Sequence, residues 1–282
     1  MTQAWGQVYI NGGLAAAHEA VVSAFDRGLL YGDGVYETLR VYSGKPFMLD
    51  AHIRRMAHGC SVIALTLPET EEIREGVRLV LEANSLTDAY LRITVTRGAT
   101  GRLWHDPAPS KPTLLIIAGP LVPRDFGDGL RLVVSRYRAD ERSPLSGVKQ
   151  TGILSKILAR AEAVRAGADD AVLLDTRAFV AEATSSNAFW LREEKLFTPS
   201  LTCGILAGIT RRIVMEIARE REIGVVEGEF ALGELRTAEE MFLTSSTWEI
   251  APVRSLDGVE FPRASGPITK RLQELYRGRT PA

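Results

Sequence analysis

One acid, one lysine and one glycine-bounded turn carry the chemical interest of this sequence. Glu182 heads the run EATSSNAF, between AVLLDTRAFV and WLREEKLFTPS, which each read as two short strands around a turn. An acid at the mouth of so apolar a hairpin calls for a reason, since a lone charge there is costly. Lys149 stands in SGVKQTG, between an extended segment and a helix start, with small neighbours that let its amine project into a cleft. Of the six lysines, Lys45, Lys195 and Lys270 lie in turns or among charges and read as solvated, while Lys111 precedes a proline at a strand start. Lys156 follows on the next helix and is given no role; its removal is expected to leave turnover within a few-fold. In GILAGITRR a helix opens at Gly208, Ile209 and Thr210, whose N–H groups have no partner within the helix and suit an anion such as phosphate. Two of these features also have a plain structural reading: Lys149 as a surface loop lysine, and Gly208 as a turn before a helix.

Together the three parts fit the needs of pyridoxal phosphate. Its aldehyde condenses with a lysine, its phosphate takes a helix N-terminus, and a carboxylate beside the ring nitrogen keeps that nitrogen protonated.

The elements that must position these groups alternate along the chain. WGQVYING reads as a strand ending in an Asn-Gly turn, and VYETLRVY as a longer strand after the loop DRGLLYGDG. Apolar residues recur at helical spacing in AHIRRMAHGCSVIAL and EEIREGVRLVLEANSL. YLRITVTRG and KPTLLIIAG read as strands around a long loop, RGATGRLWHDPAPS. The Gly- and Pro-rich stretch GPLVPRDFGDG marks a connection between domains, placing a small N-terminal domain at 1–119, a loop at 120–129 and a larger domain at 130–282. A strand, LRLVVSRYR, precedes an amphipathic helix from about 152 to 165; the helix ITRRIVMEIARERE, the strand MFLTSS and a final helix, PITKRLQELYRG, complete an α+β order. The arginines of ITRRIVMEIARERE read as a solvated face.

The segment from Glu182 to Arg211 resembles the signature of the class IV, fold type IV, pyridoxal-phosphate aminotransferases. It begins Glu-x-Thr-x-x-Asn-Ala-Phe, continues through Leu-Phe-Thr (Leu196 to Thr198) and ends Leu-Ala-Gly-Ile-Thr-Arg (Leu206 to Arg211). FDRGLLYGDGVYETLRVY resembles the family's substrate-side segment, and LDAHIRRM the helix whose arginine holds the cofactor phosphate. By that likeness Arg55, with Arg54 pointing elsewhere, holds the phosphate with Ile209, Thr210 and Ser246, which stands where a Thr is usual. Lys149 is the Schiff-base lysine and proton carrier, and Glu182 the partner of the ring nitrogen. The implied fold is two-domain α+β with the cofactor between a small N-terminal and a larger C-terminal domain. The implied reaction moves an amino group between an amino acid and a 2-oxo acid, in a homodimer or higher oligomer where Tyr31 or the Arg102 loop acts in trans.

The substrate is left among several members of the family. Tyr90 and Arg92 resemble the Tyr-x-Arg pair that grips the carboxylate in branched-chain aminotransferases, and Tyr31, Tyr36 and Arg40 resemble their pocket. Arg102 and His105 lie where D-amino-acid aminotransferases place a carboxylate-binding pair, the His displaced by one residue. SNAFW…TPSLTCGILAGITRR also resembles aminodeoxychorismate lyases, and an amine transaminase is a smaller option. Thr38 replaces a usual Gly, Ile153 and Leu154 replace a Tyr found in many branched-chain members, and Trp248 stands where small residues are common and is expected to narrow the pocket.

Bulk properties narrow the field. A formal net charge of −1 does not suit a protein built to hold nucleic acid. Two cysteines imply no disulfide framework. The start has no signal-peptide pattern and the longest apolar run is too short for a bilayer, so a cytoplasmic protein without membrane partners is expected. His18, His52, His58 and His105 are dispersed without a metal-ligand pattern, so no metal is expected. A cofactor-free scaffold that kept the fold is the rival from another class; it would stay colourless with added cofactor.

Overall fold

The computed structural model describes residues 6–99, 111–121 and 124–282. The chain divides into two compact units, one of Met1–Val122, Val148–Gly152 and Pro281–Ala282, the other of Pro123–Gly147 and Ile153–Thr280.

The first unit runs β1 (Gln7–Ile10), β2 (Gly13–Ala16), α1 (Arg27–Tyr31), β3 (Gly34–Tyr42), β4 (Lys45–Pro46), α2 (Leu49–Val62), α3 (Thr70–Ala83), β5 (Ala89–Thr96) and β6 (Thr113–Pro120). Its strands form a six-stranded sheet in the order β2-β1-β6-β5-β3-β4. Strict alternation in β3 and β5 puts Val35, Leu39, Leu91, Ile93 and Val95 on the face that builds the core. Helical spacing brings Ile53, Met56 and Cys60 of α2, with Ile73, Val77 and Val80 of α3, onto the same core. The opposite face carries Tyr36, Thr38, Arg40, Tyr90 and Arg92, all half-buried. The stretch DRGLLYGDG, expected as loop, contains the one-turn helix α1. The side chain of Asp26 accepts a 2.7 Å bond from Gly28 N–H to start it, and Gly32 at φ 68° ends it.

The second unit runs β7 (Leu130–Ala139), α4 (Leu154–Arg165), β8 (Asp170–Asp175), β9 (Val180–Ala183), β10 (Asn187–Arg192), β11 (Lys195–Pro199), α5 (Ile209–Glu220), β12 (Val225–Gly228), α6 (Leu232–Arg236), β13 (Glu240–Ser245), β14 (Glu249–Leu256), β15 (Val259–Glu260) and α7 (Pro267–Arg277). Its sheet follows the order β12-β11-β10-β13-β14-β7-β8-β9, and a further β9–β10 pairing joins the last strand back to the third. The strands from β10 through β13, β14, β7 and β8 to β9 therefore close on themselves, which removes their free edges. The closing pair is Asn187 opposite Glu182. Trp190, Phe197 and Phe230 pack edge and face in this unit's largest apolar cluster.

The solvated face expected for ITRRIVMEIARERE is only part of α5. Arg211 is buried, with Nη2 donating to Pro199 O at 2.9 Å and to Glu227 at 2.8 Å, because β12 brings a counter-charge beneath the helix. Arg212 and Arg219 keep the exposed side.

Candidate active site

Lys149 belongs to the first unit, anchored along the outer edge of β3. Tyr36 N–H donates to Lys149 O and Thr151 N–H to Gly34 O, both at 2.9 Å. The Thr151 hydroxyl adds bonds to Gly32 O at 2.7 Å and Gly34 O at 3.2 Å. β4 occupies only the far end of that edge, at Val41 and Tyr42, so the Gly34 end is open to the lysine segment. Lys149 Nζ lies 4.6 Å from the centre of the Tyr36 ring. The Arg92 guanidinium sits on the same ring at 3.8 Å. Antiparallel register sets Thr38 opposite Arg92 and Arg40 opposite Tyr90, putting Tyr36, Arg40, Tyr90 and Arg92 on one face. The Arg40 guanidinium stacks on Tyr42 at 4.4 Å, and Tyr31 closes α1 with Arg27 over its ring at 5.1 Å.

Arg55 lies across β3 from that group. Its Nε donates to Glu37 Oε1 at 2.7 Å and its Nη2 to Oε2 at 2.6 Å, a fork that fixes the guanidinium plane. His52, one turn earlier on α2, places Nδ1 2.7 Å from Glu37 Oε2. Burial by itself would push the Glu37 carboxyl up, but the bonds and charge of Arg55, with the bond from His52, outweigh it and hold it at about 2. Burial pushes His52 down against the pull of Glu37, so the neutral ring donates from Nδ1. Arg54 points to solvent. Neither Glu37 nor His52 was singled out from the sequence as a site residue; their signal is the i, i+3 spacing of His52 and Arg55 on one helix facing an acid on β3.

Glu182 lies in β9 of the second unit, its side chain 5 % exposed. Lys156 Nζ donates to Oε1 at 2.6 Å. Oε2 accepts from Asn187 Nδ2 at 3.2 Å and from Leu206 N–H at 3.1 Å. Asn187 is itself held by a 2.9 Å bond from Nδ2 to Leu206 O. α5 starts close by in the chain at Gly208, which supplies no side-chain cap to the first-turn N–H groups. A Cβ at Gly208 would fall 2.0 Å from Asn187 Oδ1, so glycine is needed there. Thr210 is buried in that first turn, and Ser246 is half-buried in the turn after β13. The Trp248 ring packs edge-on to Phe126 at 5.9 Å, with Arg124 and Arg160 over it at 5.4 and 5.5 Å. Arg102 and His105 lie outside the described residues.

A family model matches most of the chain. Amino-transferase class IV covers residues 34–256. The chain belongs to the class IV aminotransferases. Among its relatives is a provisionally named branched-chain-amino-acid aminotransferase of Methanocaldococcus jannaschii, 42% identical over 277 residues, 96% of this chain and 95% of that one. The aminodeoxychorismate lyase of Bacillus subtilis is 32% identical over 273 residues, 96% of this chain and 93% of its own. The branched-chain amino acid aminotransferase of Escherichia coli superposes with a TM-score of 0.92 at 30% identity, over 98% of this chain and 94% of that one.

Class IV aminotransferases are pyridoxal-phosphate enzymes, and the two-domain α+β fold expected from the sequence is the fold of this class IV aminotransferase. The residues present suit that group chemically. Glu182 offers a buried carboxylate to a ring nitrogen, and α5 offers backbone donors to a phosphate. Among the described residues no cluster of His, Cys, Asp or Glu could hold a metal ion, and no helix is long and apolar enough to cross a membrane.

Proposed function

We propose that this class IV aminotransferase moves amino groups between branched-chain amino acids and 2-oxo acids. The observation that carries the reading is the half-buried face shared by Tyr36, Arg40, Tyr90 and Arg92 on β3 and β5, with Lys149 Nζ 4.6 Å from the centre of the Tyr36 ring. A guanidinium grips a carboxylate through two parallel hydrogen bonds, and tyrosine rings give an aliphatic side chain an apolar wall. The 42% identity to the M. jannaschii relative supports the same assignment.

In this reading Tyr90 and Arg92 grip the substrate carboxylate, with Tyr31, Tyr36, Arg40 and Trp248 bounding the pocket. Lys149 carries the cofactor, and its amine, neutral when it accepts, moves the proton at the substrate α-carbon. Bound pyridoxal phosphate supplies the electron sink for the charge left on that carbon. Glu182 holds the ring nitrogen protonated, and Arg55, Ile209, Thr210 and Ser246 hold the phosphate. Glu37 and His52 keep the Arg55 plane fixed for that task. The reading extends to a homodimer in the cytoplasm; exposed apolar side chains at Val21, Phe25 and Leu29 supply a surface for a second copy, and sedimentation tests it.

One observation favours a second reading. Leu154 opens α4 and is exposed where many branched-chain members carry a phenol. With the 32% identity to the B. subtilis lyase, it keeps D-amino-acid transfer and pyruvate elimination from aminodeoxychorismate as the rivals. The test is a panel of single half-reactions, following the cofactor spectrum with L-leucine, D-alanine, (R)-1-phenylethylamine and aminodeoxychorismate. L-leucine or L-isoleucine is expected to react fastest. A clear lead for D-alanine or the chorismate overturns the branched-chain assignment and leaves the family intact.

A further inference from the structure

The two oxygens of Glu182 are engaged by partners of different kinds. Oε2 is held by the backbone N–H of Leu206 and by Asn187, which is itself pinned to Leu206 O. Neither donor can move without disturbing β10 or the segment before α5. Oε1 accepts from Lys156 Nζ at 2.6 Å, from a side chain 33 % exposed on a flexible stem. Under the proposed function, on which this inference rests, Glu182 must also receive the protonated ring nitrogen. Oε1 is the oxygen whose present partner could give way to that nitrogen.

We infer that Lys156 is an exchangeable counter-ion that competes with the cofactor's ring nitrogen for Glu182 and so sets how tightly the cofactor is held. The competition follows from charge and geometry. A carboxylate oxygen already bonded at 2.6 Å to an ammonium offers less to a second cation, and an ammonium that can swing to water gives way where a backbone donor cannot. Lys156 is thus a positioning residue that acts through Glu182. Its removal raises cofactor affinity, which is the opposite of what loss of a merely structural ion pair would do. Arginine at the same position, with a fork that grips both oxygens of a carboxylate, lowers affinity.

The experiment uses protein stripped of cofactor and titrated calorimetrically with pyridoxamine phosphate, which forms no covalent bond to Lys149. Lys156→Met is expected to bind roughly three- to tenfold more tightly than wild type, and Lys156→Arg more weakly by a similar factor. Both effects should vanish in a Glu182→Gln background, where binding is weaker throughout. If Lys156→Met binds equally or less well while Glu182→Gln weakens binding, the exchange inference is wrong and the assignment of Glu182 survives. If Glu182→Gln leaves binding unchanged, the assignment of Glu182 fails and takes the inference with it. Should Lys156→Met not fold, a brief acetylation pulse on the wild type gives the answer by mass spectrometry. Lys156 should acetylate several-fold faster with pyridoxamine phosphate bound, and an unchanged rate overturns the inference.

Discussion

Among the acids that each unit buries against a cation, Glu37 of the first and Glu182 of the second are held in arrangements that differ in kind. Glu37 is 1 % exposed, gripped through both oxygens by Arg55 and bonded again by His52. Glu182 is nearly as buried, yet its cation reaches only one oxygen, from a side chain a third exposed. The first is a closed clamp with every strong partner fixed on α2. The second is a carboxylate with one rigid side and one yielding side. A closed clamp suits an acid whose work is to hold an arginine still, and a half-open frame suits an acid that must take a further cation. Burial alone does not tell the two apart; the count and rigidity of the donors does.

Removing the lysine tests the comparison from outside both acids. Lys149→Ala is expected to cut turnover by about 10³-fold or more, losing the covalent anchor and the proton carrier together. Circular dichroism and thermal midpoint should stay near wild type, since the segment is held by backbone bonds and Thr151. Glu182→Gln is the next largest change, with turnover down roughly 10²-fold and a small loss of stability. A large stability loss would make Glu182 another closed clamp and erase the contrast.

Glu37→Gln should do the reverse, costing on the order of 3 kcal/mol of stability at neutral pH because Arg55 stays buried without its counter-charge. Its pH dependence gives a second readout. Folded Glu37 resists its proton relative to the unfolded chain, so its contribution is complete above 4.5 and lost as pH falls toward about 2. His52 also resists its proton when folded, which costs stability as pH drops below 6.5. Glu37→Gln should therefore unfold with a flatter acid limb between pH 4.5 and 2 in denaturant titrations. An acid limb as steep as wild type would mean that the clamp is not what holds the fold in acid.

The same comparison separates what was legible in the sequence from what was not. α2, α3, α5 and α7 follow from apolar spacing, and the hairpins around Glu182 from alternation and turn residues, because those signals are local. Lys149, Glu182 and Arg55 were singled out by residue type and by the family pattern. Their supports were not. Lys156 shows no local sign of its partner, which stands 26 positions away and meets it only in the fold. Local charge alone reads the arginines of α5 as solvated, but Arg211 meets Glu227 16 residues later. The segment Val148–Gly152 reads as part of the second domain, yet it groups with the first unit because its hydrogen bonds go to β3. Periodicity reports on the face of an element; it is silent on which distant strand offers an unpaired edge.

That borrowed edge yields the smallest and most local effect. Lys149 has no helix or long strand of its own, and hydrogen bonds to Gly32, Gly34 and Tyr36 anchor its segment to the first unit. The Thr151 hydroxyl is the one side-chain member of this set, donating toward Gly32 O at 2.7 Å just where the chain leaves α1. Thr151→Val keeps the β-branched shape and removes the donor, leaving a half-buried carbonyl one bond short, at a cost of about 1 kcal/mol. The two backbone bonds should keep the register of Val35 opposite Gln150 intact. The loss is then expected as faster amide exchange at Tyr36 and Thr151 and a turnover several-fold lower, with the acid limb unchanged because neither buried acid is touched. Thr151→Ser, which restores the donor, should recover most of the protection. If valine and serine behave alike, the hydroxyl is not what steadies the lysine, and the backbone pairing to β3 carries that role alone.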